Sequence, residues 1–373
     1  MRPLARLNFS AILTFAAILC AGAGMTGCGG SGSSVSPGPT APTRTWRMGF
    51  SGIPPVPDQT ISVNTIFAWS PRADAAIAHE GVPWDSLLAG VPADTLARRY
   101  LGLMQYYRLV AHHAIWFEVD PTDGLARTSE DPKLVNAGRS ISEPAVRALY
   151  VKWVTAVDTL VHPEYLGLAS EVNLVRFAGP TVYASLGPLA RQAADSLLAL
   201  HARRPDLPRP KLYATLQVET LWGRLGPAGW QGVATEAADF SWAEAWGLSS
   251  YPYLGGFAEP EDIPADYFSR PAAELGKPVM VVEGGWASVP YAGTNATPAQ
   301  QARWLRRQAT LLDAAHAVAL FDLTYADLAL STWPLPPTGS LVPFAHLGVV
   351  DSALTAKPAL AVWDSLYART RVN

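Results

Sequence analysis

"VVEGGW" occupies residues 281–286. Two valines read as a buried strand. Glu283 then ends it, and Gly284, Gly285 and Trp286 follow. A strand that has reached the surface and turned accounts for this stretch. So does a strand that delivers a carboxylate to the mouth of a pocket. The choice depends on how many such strands the chain holds and on what stands at the end of each.

Short apolar runs recur from Trp46 onward. They are "WRMGF" (46–50), "ADAAIAH" (73–79), "AIWFEVD" (114–120), "YLGLASE" (165–171), "LYATLQV" (212–218), "WGLSSY" (246–251), "VMVVE" (279–283) and "AVALFDL" (317–323). Each reads as a strand. Stretches with helical spacing lie between them. These include 94–113, 143–161, 190–204, 297–316 and the terminal 357–370. Asp94-Thr95, Ser142-Glu143-Pro144 and Thr297-Pro298 supply the start signals of a helix. The strands are apolar throughout rather than alternating, as in a parallel sheet buried on both faces. Eight such units predict a (β/α)8 TIM barrel, an α/β fold, as one domain over residues 45–373. A doubly wound sheet is the alternative, but no G-x-G-x-x-G opens a helix after the first strand.

Of 373 residues, 49% are hydrophobic and 16% charged, with a net charge of −3. Such a chain can bury a large core. It carries neither the basic stripe of a nucleic-acid binder nor a charged interaction tail. No nucleic-acid partner is expected, and a monomer is. Thirteen tryptophans are read mainly as core, with some as candidates to line a groove.

The N-terminus reads differently. "MRPLARLN" carries two arginines and precedes the apolar run "FSAILTFAAILCAGAGM". The run is too short to span a membrane comfortably, so residues 1–27 read as an export signal. "MTGC" then resembles a bacterial lipobox, which implies cleavage before Cys28 and lipid on its thiol. The only other cysteine is Cys20, inside the leader, so the mature chain can form no internal disulfide. A Gly/Ser/Pro tether follows, and residues 28–44 are assigned to it. The expected place is the cell envelope, at the outer membrane or cell surface, held through the N-terminal lipid alone. Gly29 rather than Asp after the cysteine favours the outer membrane if the host is Gram-negative.

In a barrel the chemistry sits at the C-terminal ends of the strands. Those ends offer His79 and Glu80, then Trp116, Glu118 and Asp120, then Ser170, Glu171 and Asn173. Gln217, Glu219 and Trp222 follow, then Tyr251 and Tyr253, then Glu283 and Trp286, and finally Asp322 and Tyr325. Carboxylates and aromatics converge on one rim. Two carboxylates flanking an acetal can protonate the leaving oxygen and attack the anomeric carbon, while aromatic faces hold a sugar ring. The bland reading leaves Glu171 capping a turn and Glu283 solvated. For His112-His113 the expected role is charge at a helix end.

On these residues the chain resembles the clan-A glycoside hydrolases, and within them endo-β-1,4-galactanase-like and related extracellular families. The resemblance covers most of the chain after the tether. It implies that Glu171 in "YLGLASEVN" is the acid/base and Glu283 in "GKPVMVVEGGW" the nucleophile. It also implies that Tyr251 in "LSSYPYL" orients the nucleophile. "FAHLGVVDSALTAKPAL" resembles the run into the clan's last helix. Many members have Asn immediately before the acid/base, where it binds the hydroxyl beside the anomeric carbon. Here Ser170 stands there, and Asn173 is the candidate to replace it. His79, Trp116, Gln217, Trp222, Tyr253 and Trp286 complete the expected carbohydrate contacts. The two glycines are expected to leave room for a sugar, with Trp286 stacked on its neighbour.

The expected activity is retaining β-glycoside hydrolysis of a poly- or oligosaccharide, with no cofactor. No metal is expected, since "HEGVP" lacks the second histidine of a zinc helix. No G-x-S-x-G elbow suggests a serine hydrolase. A glycan-binding lipoprotein without turnover remains the alternative, and a structural surface protein a third.

Overall fold

The computed structural model describes residues 42–291, 293–294, 296–333 and 341–372. The leader, Cys28 and the tether through residue 41 lie outside them. Eight parallel strands close into a barrel in chain order. They are β1 (Arg47–Ser51), β2 (Ala75–Gly81), β3 (Ala114–Asp120), β4 (Tyr165–Gly167), β5 (Lys211–Gln217), β6 (Ala245–Ser250), β7 (Val279–Gly284) and β8 (Ala319–Asp322). β8 pairs back onto β1, with Arg47 against Ala319 and Phe50 against Asp322. Helices separate the strands, as expected of a (β/α)8 barrel. Below the barrel, Thr43–Arg44 pairs in parallel with Thr370–Arg371.

Side chains alternate across each strand. Ile77, Trp116, Tyr213, Met280 and Phe321 form an inner cluster. Their neighbours Ala76, Ile115, Phe117, Val281 and Leu320 join the larger cluster under the helices. Both faces are buried, which is why the strands read as unbroken apolar runs. Glycines make room for the inner aromatics. A Cβ on Gly49 would lie 2.2 Å from the Ala75 carbonyl oxygen, and one on Gly167 would lie 2.7 Å from the Tyr213 ring. The interior is therefore packed, and the open space lies above it.

The helix Pro144–Val161 shows the logic of the outer layer. Proline occupies its first turn, where a missing N–H costs nothing. Val146, Tyr150, Trp153, Val154, Val157 and Val161 make one buried face, and the helix ends at His162 in the left-handed conformation. Thr297 accepts a bond from the Gln300 amide at the start of Pro298–Ala314.

Residues 94–113, expected as one helix, are broken. Short α-helical turns at Ala93–Ala97 and Leu101–Gln105 are joined by a 3-10 turn, and a π-helical turn covers Tyr106–Val110. Tyr100, Leu103, Met104 and Tyr107 from this segment line the barrel mouth, so the i, i+3, i+4, i+7 spacing of one helix face is kept although the turns change type. His113 does not serve as a helix-end charge. It is buried, stacks on Trp69 with ring centroids 5.4 Å apart and donates to the Ser70 carbonyl. Burial lowers its pKa, so the ring is neutral at pH 7.

Nine tryptophans, Trp46, Trp69, Trp84, Trp116, Trp153, Trp246, Trp286, Trp304 and Trp363, are fully buried. The high tryptophan count is mostly core.

Candidate active site

The mouth of the barrel holds a cavity of about 560 Å³. Its floor is the next inner layer above Ile77, Tyr213 and Phe321. Ser51, His79, Gln217 and Glu283 occupy that layer, and Glu171 and Tyr251 join them from the loops after β4 and β6. Glu171 and Glu283, far apart in sequence, share one cavity.

Strict alternation from Met280 would turn Glu283 outward. A bulge corrects this. Leu248 pairs with Val281, but Ser249 pairs with Glu283, so Val282 is an extra residue in β7. Val282 and Glu283 consequently both face inward, Val282 into the inner cluster and Glu283 into the cavity. Bulges commonly re-aim a side chain beside a site. The Val282 carbonyl accepts a 3.1 Å bond from His79 Nε2, which fixes the His79 tautomer with Nδ1 bare. That nitrogen is buried and has no partner.

The glycines after Glu283 do a different job from the one expected. A Cβ on Gly284 would lie 2.5 Å from the Ser250 carbonyl oxygen, and Gly285 has φ of 149°. Gly284 allows close approach of two backbones, and Gly285 packs against the Leu347 side chain; neither lines the cavity.

Glu171 caps the helix Val172–Ala178 and has φ of 43° and ψ of 46°. A non-glycine residue in this region is strained. Its amide donates to Thr215 Oγ1 at 2.6 Å. Its carboxylate is gripped at both oxygens, by Ser249 Oγ at 2.6 Å on Oε1 and Arg127 Nε at 2.9 Å on Oε2. Arg127 also pairs with Asp120. Burial works against the Arg127 charge, but Asp120, Glu171 and Glu283 around it prevail and raise its pKa.

Tyr251 donates from its hydroxyl to Glu283 Oε1 at 2.5 Å. Burial, then the charge of Glu171, push the Glu283 carboxyl up to about 7. His79, the Tyr251 bond and Arg127 act in the opposite direction without cancelling this. Two carboxylates facing each other in a low-dielectric site tend to hold one proton between them. Beneath them, burial raises Glu118 to about 7, although it accepts from Ser170 Oγ at 2.6 Å and Tyr213.

The other expected contacts are placed elsewhere. Ser170 gives its hydroxyl to Glu118 and is buried. Asn173 clamps the end of β5: its Nδ2 donates to the Gln217 carbonyl and its Oδ1 accepts from the Gln217 amide. Both amide groups are thus occupied, and Asn173 does not replace the missing Asn. Trp116 lies in the barrel interior below the floor, stacked on Tyr165 at 4.5 Å. Trp286 packs on Trp304 and Tyr253 in the core, and the Tyr253 hydroxyl donates to the Pro343 carbonyl. Trp222 stacks on Tyr267 and abuts Trp230, away from the cavity lining. Asp322, on the outward side of β8, is buried with Oδ1 unpartnered, and burial pushes it up to about 8.

Arg127 and Ser249, which hold Glu171, were not anticipated from sequence. Arg127 sits in "DPTDGLARTSED", where nothing announces that the loop folds back over the mouth. Ser249 was legible in principle, as the inward residue two before Tyr251. Trp333 is the tryptophan that lines the cavity among the described residues.

The sequence matches no protein-family model and no curated protein. Its fold, however, is that of known (β/α)8 glycoside hydrolases. An exo-β-1,4-mannosidase from Opitutaceae bacterium strain TAV5 aligns over 88% of this chain and 60% of its own, with TM-score 0.62 and 14% identity. Fungal β-1,4-galactanases align over 81% of this chain and 90% of theirs, with TM-score 0.51 and 16% identity. A β-D-glucuronidase from Dictyoglomus thermophilum aligns over 88% of this chain and 51% of its own, with TM-score 0.54 and 13% identity. The chain thus spans about half to three-fifths of the mannosidase and the glucuronidase.

Proposed function

We propose that this protein is a retaining β-glycosidase acting by double displacement, with Glu283 as nucleophile and Glu171 as acid/base. The observation that carries this reading is the meeting of Glu171 and Glu283 in one barrel-mouth cavity, with the Tyr251 hydroxyl bonded to Glu283. The fold shared with sugar hydrolases agrees with it. In the first step the Glu283 carboxylate bonds to the anomeric carbon. The bond to the leaving oxygen breaks, and that oxygen takes the electron pair and the proton of Glu171. In the second step water attacks the same carbon, gives a proton to the Glu171 carboxylate and releases Glu283. Arg127 must first turn wholly onto Asp120, because it covers Glu171 Oε2. Tyr251 steers the lone pairs of Glu283.

A panel of aryl β-glycosides, with the product followed by proton NMR, tests this. The first sugar released should be the β anomer. Initial release of the α anomer would mean inversion and remove Glu283 as nucleophile. A second reading, a glycan-binding barrel without turnover, is favoured by one observation: both oxygens of Glu171 are already engaged. Binding without any hydrolysis across the panel would select it.

The raised carboxyl sets the pH dependence. Glu283 attacks only when ionised, so kcat/KM should rise with pH through about 7. Tyr251 stabilises the ionised form. Tyr251→Phe should therefore move this limb to higher pH as well as lowering the rate. A limb that stays in place or moves down would show that Tyr251 does not act on the nucleophile.

Export and lipid attachment at Cys28 belong to the same proposal. They rest on the apolar leader, "MTGC" and the tether. Cys28→Ser should release the body from membrane fractions or leave the leader uncleaved; a wild-type chain found wholly soluble would refute the anchor.

A further inference from the structure

Eight leucines line the cavity, from the segments that follow six of the eight strands. Leu103 follows β2, Leu125 follows β3, Leu174 follows β4, Leu225 follows β5, Leu254 follows β6, and Leu323, Leu328 and Leu341 follow β8. Polar groups gather on the floor at Glu171, Glu283, His79, Gln217 and Tyr251; of the other charged groups in the lining, Arg127 is paired with Asp120 and Glu171, Glu80 accepts from Tyr100, and Arg99 stands at the rim. The mouth is therefore divided, with chemistry below and a largely aliphatic wall above. A single leucine at such a place carries no message. Eight from six separate segments do, because each segment could place a polar residue there at no cost to the barrel core. Leu125 is 49% exposed, so a ligand that covered it would remove apolar surface from water.

A sugar chain does not suit this wall. Each hydroxyl pressed against leucine would lose its water and gain no partner. Of the groups expected to serve sugar rings, Trp286 and Trp116 lie in the core, and Ser170 and Asn173 are bonded within the protein; the aromatics in the lining, Tyr100, Tyr107, Trp333 and Phe344, stand among the leucines. Glu171, the proposed proton donor to the leaving oxygen, lines the same cavity as the leucines, so an aglycone held there would meet them.

We infer that the leaving group of the natural substrate is an aliphatic aglycone, so that the protein acts on glycosides of long-chain or alicyclic alcohols rather than on a polysaccharide. This rests on the hydrolase reading and replaces the oligosaccharide expected from sequence. The bonds made and broken are those already given; the oxygen that takes the Glu171 proton is that of the aliphatic alcohol.

The test is a series of n-alkyl β-glucosides, β-galactosides and β-mannosides from methyl to octyl, each used below its micelle concentration. A cholesteryl glycoside in mixed micelles distinguishes an alicyclic aglycone from a straight chain. On the sugar that is cleaved, kcat/KM should rise about fourfold per buried methylene, or roughly 10²-fold from butyl to octyl. Leu125→Asn and Leu254→Asn should each flatten this slope. Equal rates for methyl and octyl glycosides, with cello- or manno-oligosaccharides preferred to both, would overturn the inference and leave the hydrolase reading standing. Should no glycoside be cleaved, the hydrolase reading fails, and calorimetric binding of the same series decides the wall by itself. Octyl glycosides binding roughly 10²-fold more tightly than butyl would uphold an aliphatic site, and no dependence on chain length would end it.

Discussion

Glu283→Ala is expected to leave no measurable turnover on any glycoside, whatever its leaving group. On the proposed mechanism the substitution removes the atom that bonds to the anomeric carbon, and the other carboxylates nearby are held by neighbours: Glu80, in the same cavity lining, accepts from the Tyr100 hydroxyl at 2.8 Å. Glu118 lies below the floor on Ser170 and Tyr213, and Glu219 is held by Ser250 and Tyr267 on the far side of β6. Asp120 is tied to Arg127. The loss should be on the order of 10⁶-fold, the scale on which removing a nucleophile abolishes covalent catalysis. The protein should remain folded, because the carboxyl costs free energy to bury and faces a cavity. Circular dichroism and the thermal midpoint should therefore match or exceed those of the parent. A variant that retains more than a thousandth of the parent rate would exclude Glu283 as nucleophile.

Glu171→Ala should fail in a different way. Its loss is the proton, worth about 10²–10⁴-fold when general acid catalysis is needed. A dinitrophenyl leaving group needs little protonation, so its first step should survive. The second step then lacks a base, and a glycosyl-enzyme should accumulate as a burst followed by slow release. Azide needs no base and fits the space left by the side chain, so it should restore turnover and yield a β-glycosyl azide. An α-azide would indicate inversion. Equal loss in both variants without rescue would leave the barrel with a site that binds. The Arg127 pair adds a further consequence. Without Glu171, Arg127 keeps only Asp120 as a close partner, and its charge lies nearer the incoming anion, which favours azide capture.

Much of this architecture was legible in the chain. The eight strands were visible because both faces of a barrel wall are buried, so each strand is an uninterrupted apolar run, as in "VMVVE" and "AIWFEVD". Local order was less legible between Ala93 and Val110, where the apolar spacing is that of one helix but the chain runs through α, 3-10 and π turns. Glu171, Glu283, Tyr251, His79 and Gln217 do line one cavity, and their positions at strand ends were enough to suggest a common rim. Trp116 and Trp286 show the limit of that reasoning. One residue of offset turns a strand-end aromatic to the helix side, and two carry it from above the floor to below it. Asp322 illustrates the same point across the wall: its parity matches Leu320, so it faces the helices. Ser170 and Asn173 look like sugar ligands by residue type, but their polar atoms were claimed by neighbours 52 and 44 positions away, pairings that no local pattern encodes.

The extra residue in β7 has a mechanical consequence. By stepping out of register, Val282 offers its carbonyl to His79 on β2, a strand reached only by passing β8 and β1 around the ring. A hoop of strands bonded only to their neighbours can flatten into an oval with little resistance. A hoop with a strut across it cannot. The His79 bond is such a strut, anchored one residue from Glu283. Deleting Val282 would restore regular pairing and still leave Glu283 facing inward, yet the strut would go. The rim would then breathe where the proposed mechanism needs a reacting carbon held to a fraction of an ångström. The insertion thus braces the ring at Glu283.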